Sequence, residues 1–225
     1  LEYIQSDGTG TTVKDNGVAA SKVSANGSLD AIGTVVTIGD QQFYTIGTEG
    51  DNVKLLSMYN LYVGNDCTST SSSSCTAYGD EATGIQDSTM LGYVSGQTIR
   101  KGTTKFSNTN YWSSTVSSYP TYVYDSNSTL YSYVENYKTY LSTLGVTPSE
   151  ARLITRNELI DLGCSGSSCK NAPSWVYATS YWSGSARSSS YVWDVHSNGD
   201  FSYNYCSNNY IDGCRPVITI SRSLI

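Results

Sequence analysis

Tyr181–Cys214 reads YWSGSARSSSYVWDVHSNGDFSYNYCSNNYIDGC and runs directly into Arg215-Pro216-Val217-Ile218-Thr219-Ile220. Ser, Asn, Tyr and Asp make up more than half of this stretch. Polar low-complexity sequence is ordinarily disordered, because it buries too little apolar surface to offset chain entropy. Here Trp182, Gly184, Trp193, Gly199, Gly213, Arg215 and Pro216 punctuate it, and an apolar strand closes it, so it reads as folded. Tyr gives a large rigid contact surface, and Ser and Asn give adaptable hydrogen bonds, which is the composition of a binding surface.

Composition narrows the function classes. The chain has 225 residues, a formal net charge of −6 and 14% charged residues. Its thirteen Lys and Arg are scattered, whereas a nucleic-acid surface needs them clustered. No stretch is long and apolar enough to span a bilayer, so neither nucleic acid nor direct membrane contact is expected. The six cysteines fall into three local pairs, Cys67 with Cys75, Cys164 with Cys169 and Cys206 with Cys214. Each pair flanks a short polar loop, which predicts three disulfides in an oxidising compartment, with free thiols as the alternative. No pair has C-x-x-C spacing and His196 is the single histidine, so no metal or cofactor is expected. The chain opens at Leu1-Glu2-Tyr3-Ile4, which reads as a processed or trimmed protein that has lost an export signal or anchor.

Along the chain, the pattern predicts one α+β domain over 1–225, with antiparallel sheets, two main helices and long loops. A β-meander belongs to residues 1–60: Val35–Ile38, a Gly39-Asp40 turn, Gln42–Ile46, a turn over 48–51, then Val53–Ser57. Residues 64–128 are irregular. Leu130, Val134, Tyr137, Leu141 and Leu144 recur at spacings of four and three, a helix stripe that ends at Gly145. Thr147-Pro148-Ser149-Glu150 and Thr155-Arg156-Asn157-Glu158 both have the form of a helix N-terminus, and a second helix is expected through Leu162 to Gly163. Short strands are expected at Trp175–Tyr177, Tyr191–Trp193 and Val217–Ile220.

Three segments together carry a family likeness. Ala151-Arg152-Leu153-Ile154-Thr155-Arg156-Asn157-Glu158-Leu159 resembles the R-L-P-T-x-x-E-W segment of the formylglycine-generating-enzyme type of C-type lectin fold, with Ile154 at the usual Pro and Leu159 at the usual Trp. Tyr181-Trp182-Ser183-Gly184-Ser185 and Gly213-Cys214-Arg215-Pro216-Val217 resemble the W-x-G-S and G-x-R-P-V segments of that fold. Within it, the chain is most similar to the variable proteins of diversity-generating retroelements, in which error-prone copying at adenines turns Asn-type codons into Tyr, Ser, Asp, His and others. The resemblance implies a C-type lectin fold with a variable ligand-binding region at 181–220. The ligand-binding residues it implies are Tyr181, Arg187, Ser189, Asp194, His196, Asp200, Ser202, Tyr203, Tyr205, Ser207, Asn208, Tyr210 and Asp212. Trp182 and Arg215 are expected beneath them as scaffold, with Trp193 and Val195 turned inward by strand alternation and Asp194 and His196 outward.

The functional expectation is a surface-displayed binding protein of the adhesin or receptor-binding type, outside a bacterial cell or on a phage. Its partner would be a protein or cell-surface structure, and it would not be an enzyme. Two alternatives stand beside it. One is a pilin or other structural subunit that presents this domain. The other is a cysteine-dependent oxidase of the formylglycine-generating type, built on Cys206 and Cys214. The lectin motifs Glu-Pro-Asn, Gln-Pro-Asp and Trp-Asn-Asp are absent, so calcium-dependent sugar binding is not implied.

Overall fold

A computed structural model of the chain describes residues 22–68, 75–94, 99–207 and 212–225. Its strands are β1 (Val23–Ala25), β2 (Val35–Ile38), β3 (Gln41–Glu49), β4 (Asn52–Ser57), β5 (Asn65–Cys67), β6 (Cys75–Ala77) and β7 (Gly92–Tyr93). They continue as β8 (Arg100–Thr103), β9 (Thr121–Tyr122), β10 (Glu150–Leu153), β11 (Tyr181–Ala186), β12 (Tyr191–Val195), β13 (Phe201–Tyr205) and β14 (Pro216–Ser221). Two α-helices, α1 (Tyr131–Thr143) and α2 (Arg156–Asp161), complete an α+β architecture. No described helix is long and apolar enough to cross a membrane.

The predicted meander forms as β2, β3 and β4, with Gly39 and Gly50 at positive φ in its turns. It belongs to a six-stranded sheet of order β1-β2-β3-β4-β14-β10, in which every pairing is antiparallel. The stripe residues Leu130, Val134, Tyr137 and Leu141 are fully buried and pack α1 into a core shared with Val36, Ile38, Phe43 and Ile218. A second sheet, β13-β12-β11-β9, carries the stretch that opened the sequence reading. A third, β6-β5-β8-β7, occupies the part of the chain expected to be irregular. Its strands are two to four residues long, too short for a period to show in the sequence.

Two of the expected elements differ. Thr147–Glu150 does not start a helix: Glu150–Leu153 is strand β10, paired with β14, and Ser149 N–H donates to Thr219 O at 2.9 Å. The cap at Thr155 is the one used, with its hydroxyl accepting from Glu158 N–H at 3.0 Å and the Glu158 carboxylate accepting from Thr155 N–H at 2.9 Å. Trp175–Tyr177 lies in a 3-10 turn over Ser174–Tyr177 rather than a strand. Pro173 precedes it, and Val176 N–H donates to Pro173 O at 2.9 Å, so a local turn replaces the ladder.

Disulfides join Cys67 to Cys75 and Cys164 to Cys169. The first links directly opposed residues of β5 and β6. The third expected bridge is absent: Cys206 and Cys214 are buried free thiols. Cys206 N–H donates to Ser190 O and its carbonyl accepts from Ser107 N–H, while Cys214 O accepts from Leu61 N–H.

Candidate functional site: the two faces of the β11–β13 sheet

Two tight turns set the register of this sheet. Between β11 and β12, Arg187 N–H donates to Tyr191 O at 2.7 Å. Between β12 and β13, His196 N–H donates to Asp200 O and Gly199 N–H to His196 O, both at 2.9 Å. Gly199 takes φ +87°, and a Cβ there would come within 2.8 Å of Lys170 Cγ, so both the backbone and the space call for glycine. The resulting cross-strand pairs are Tyr191 with Tyr205, Trp193 with Tyr203, Asp194 with Ser202 and Val195 with Phe201.

Alternation then sorts the side chains. Residues 191, 193, 195, 201, 203 and 205 share one face. At one end of that face Val195 and Phe201 are buried in a core with Leu56, Leu159 and Val217, and Trp193 packs against it. At the other end Tyr191, Tyr203 and Tyr205 are open, 37%, 39% and 41% exposed. The rings form a connected array, with centroids 5.6 Å apart for Tyr191–Tyr203, 5.1 Å for Tyr191–Tyr205 and 5.7 Å for Trp193–Tyr203. Two cations lie on it: the Arg187 guanidinium is 3.8 Å from the Tyr203 ring centre and that of Arg156 is 4.8 Å from Trp193. Neither has a carboxylate within ion-pair distance among the described residues. A cleft of about 150 Å³ lies beside Arg156, lined also by Pro120, Tyr122, Thr155, Asn157 and Ser185.

The opposite face is closed. Val192 packs in the main core and Asp194 is fully buried, so the expectation that Asp194 would face outward is corrected, while Val195 and Trp193 do turn onto the second core. Asn204 donates a hydrogen bond to Asp194 Oδ2. Asp212 is also fully buried, because Thr104 N–H holds its carbonyl at 3.0 Å and Gly213 bridges to Tyr181 in parallel. His196 Nε2 lies 3.6 Å from Asp194 Oδ1 and 3.7 Å from Asp212 Oδ2. Burial opposes charge on the imidazole, but the two carboxylates outweigh it and raise the His196 pKa. Burial raises that of Asp212 against the pull of His196, with Asp194 adding to the rise. His196 thus sits between two buried carboxylates that favour its protonated form, while burial pushes the Asp212 carboxyl up to about 7.

The residues named from the sequence thus divide. Arg187, Tyr203 and Tyr205 stand together on the open face, and Ser189 and Asp200 are exposed at its turns. Ser202 and Ser207 are half-buried. Tyr181, Asp194 and Asp212 are buried and are corrected out of the exposed surface, and His196 is largely covered. Tyr181 is in the core because its hydroxyl donates to Val176 O at 2.7 Å and Arg215 stacks 4.9 Å from its ring. Asn208 and Tyr210 lie outside the described residues. Sequence reasoning left out Tyr191 and Arg156 and gave Trp193 only an inward role; Tyr191, which lies directly opposite Tyr205, shares the strand alternation of Trp193 and Val195, the signal that would have placed it.

Beneath the sheet, Trp182 is fully buried and its Nε1–H donates to Thr104 O at 2.8 Å. Arg215 is fully buried and donates to Ser57 O at 2.7 Å, Val176 O at 3.0 Å, Met58 O at 3.2 Å and Trp175 O at 3.0 Å. Cys206 and Cys214 are poor nucleophiles, since burial raises both thiols and takes Cys214 to about 12. Compared with known proteins, the chain matches no family model, no curated protein and no solved structure.

Proposed function

We propose that this protein binds a protein or cell-surface ligand through the open aromatic face of Tyr191, Trp193, Tyr203 and Tyr205 with Arg187 and Arg156. The observation that carries this reading is the array itself. Three tyrosines more than a third exposed and two arginines without carboxylate partners among the described residues share one side of a two-turn sheet. Tyr, Trp and Arg dominate binding energy at protein interfaces, and rings already stacked on one another lose little entropy on contact. The chain is acidic overall, with a net charge of −6, so this face is a local cationic exception suited to a ligand that carries carboxylates.

In the finer reading, the fold is of the C-type lectin type and the chain is a variable protein of a diversity-generating retroelement, displayed extracellularly on a cell or phage. Two disulfides suit an oxidising compartment. The buried thiols favour binding over a cysteine-dependent oxidase. Two experiments test this. A display library randomised at Arg187, Ser189, Tyr203 and Tyr205 should keep most members folded and yield selectable binders; general unfolding of the library refutes the binding-face assignment. The encoding DNA should be flanked by a reverse transcriptase and a near-copy of the 181–220 segment that differs at adenines. A flank with neither refutes the retroelement reading and leaves the binding face standing.

A further inference from the structure

The closed face of the same sheet carries a second site, whose argument is independent of the binding reading. Asp194 sits mid-strand on β12, His196 just past its end, and Asp212 in the segment that the 104–107 region and β11 hold in place. Asp194 Oδ1 and Asp212 Oδ2 converge on His196 Nε2 at 3.6 and 3.7 Å, and the three atoms lie within 4.8 Å of one another. Both spacings exceed a hydrogen bond. They approach the edge of a metal tetrahedron, about 3.3–3.6 Å for bonds of about 2.0–2.2 Å.

The second observation is unmet hydrogen-bonding capacity. Asp194 Oδ1 and both carboxylate oxygens of Asp212 are buried without a hydrogen-bond partner among the described residues, in side chains with zero exposure. Buried carboxylates are ordinarily paired, hydrogen-bonded or metal-bound. The other Asp194 oxygen is already taken by Asn204, which fixes the carboxylate so that its free oxygen faces His196. Such outer hydrogen bonds orient ligands in metal sites.

We propose that Asp194, His196 and Asp212 form a binding site for a divalent first-row transition metal, with Zn²⁺ the best-matched ion. One imidazole and two carboxylates suit Zn²⁺, Mn²⁺ or Co²⁺; Ca²⁺ asks for six to eight oxygens, and Mg²⁺ for oxygen ligands in an octahedron. Three protein ligands leave a fourth position for water. The metal ties the 212–215 segment to β12 and so stiffens the floor beneath the aromatic face. It also replaces the expectation, drawn from cysteine spacing and the single histidine, that the chain holds no metal.

His196 is the only histidine in the chain, so an imidazole signal reports this site alone. The test is titration of chelator-treated full chain with Zn²⁺, followed by the imidazole ¹⁵N resonances, calorimetry and thermal melting. One equivalent should bind, Nε2 should shift to its metal-bound position, and the melting temperature should rise by roughly 5–10 °C at a hundredfold excess over Kd. His196→Asn and Asp212→Asn should each weaken affinity at least about tenfold. Co²⁺ should give the intense visible bands of a tetrahedral site without a thiolate charge-transfer band, which separates this site from the free cysteines. If the variants fail to fold, the imidazole and Co²⁺ signals of the unaltered chain decide alone. Imidazole resonances unmoved by saturating Zn²⁺, or a thiolate–cobalt band with no imidazole shift, overturn the proposal.

Discussion

Replacing Arg215 with Ala should be among the most damaging single changes in this protein. The guanidinium is fully buried and donates to four backbone carbonyls, two at the end of β4 (Ser57, Met58) and two in the 3-10 turn (Trp175, Val176). These segments are joined by no strand ladder, so the side chain is a rivet between them. Hydrogen bonds to a charged group contribute about 1.5–3 kcal/mol each, which would overstate a sum over four. Removing the charge also recovers its desolvation cost, so about 3–5 kcal/mol is the expected net loss, the usual range for breaking a buried charged network. At about 2–4 °C per kcal/mol for a chain of this size, the melting temperature should fall by roughly 6–20 °C. Arg215→Lys keeps the charge but concentrates its donors on one nitrogen, which cannot span both segments, and should lose more than half as much. Thermal melting and urea unfolding measure both. A fall of less than about 4 °C for the alanine variant would show that the carbonyls find other partners, and the rivet argument would be wrong.

Other outcomes follow from other parts of the structure. Tyr203→Ala should leave stability within about 1 kcal/mol but weaken any ligand selected on the aromatic face by about 2 kcal/mol or more; paired melting and binding measurements read the two apart. In denaturant, two thiols per chain should react with a thiol reagent, and in the native state neither should; no reactive thiol in denaturant would restore the Cys206–Cys214 bridge. Burial pushes the Glu158 carboxyl up, but the Arg152 guanidinium, at 2.6 Å, and the Thr155 groups outweigh it and hold it below its ordinary value. Its contribution is therefore complete above the unfolded-state pKa and is lost as pH falls through the folded-state value. Glu158→Gln should flatten that part of the acid limb of a stability–pH profile; an unchanged slope would count against it. Gly184→Ala should destabilise by about 1–3 kcal/mol, since its Cβ would lie 2.2 Å from the Tyr122 ring, anchored through its hydroxyl to Leu153 O; an unshifted melt would show that β9 yields.

What the sequence could reveal depended on how far each residue's partners lie. The α1 stripe and the Thr155 cap were legible because both are settled within one or two turns of chain. Thr147–Glu150 carries the same local signal, yet Glu150–Leu153 answers to β14, some seventy residues on, and a ladder outweighs a cap. The alternation of β12 was visible, but not that both of its faces are covered. Asp194 looked like the outward residue because it is charged, and only His196, Asn204 and Asp212, brought together by tertiary structure, make its burial tolerable. Pairing cysteines by proximity held at Cys67–Cys75, which β5 and β6 set opposite each other, and at Cys164–Cys169. It failed at Cys206 and Cys214, which are buried free thiols.

Strand β14 lies between β4 and β10 in the six-stranded sheet. During synthesis the meander β1–β4 can pair as soon as it emerges, since its contacts are local. The edge of β4 that will receive β14 then stays open until residues 216–221 are made, and β10 has no partner in the sheet before that moment. Long-range closure of this kind slows folding and lengthens exposure of an unpaired edge. A nascent chain of this protein is therefore held in an incomplete form until β14 arrives. Such a form is open to aggregation through the unpaired edge of β4.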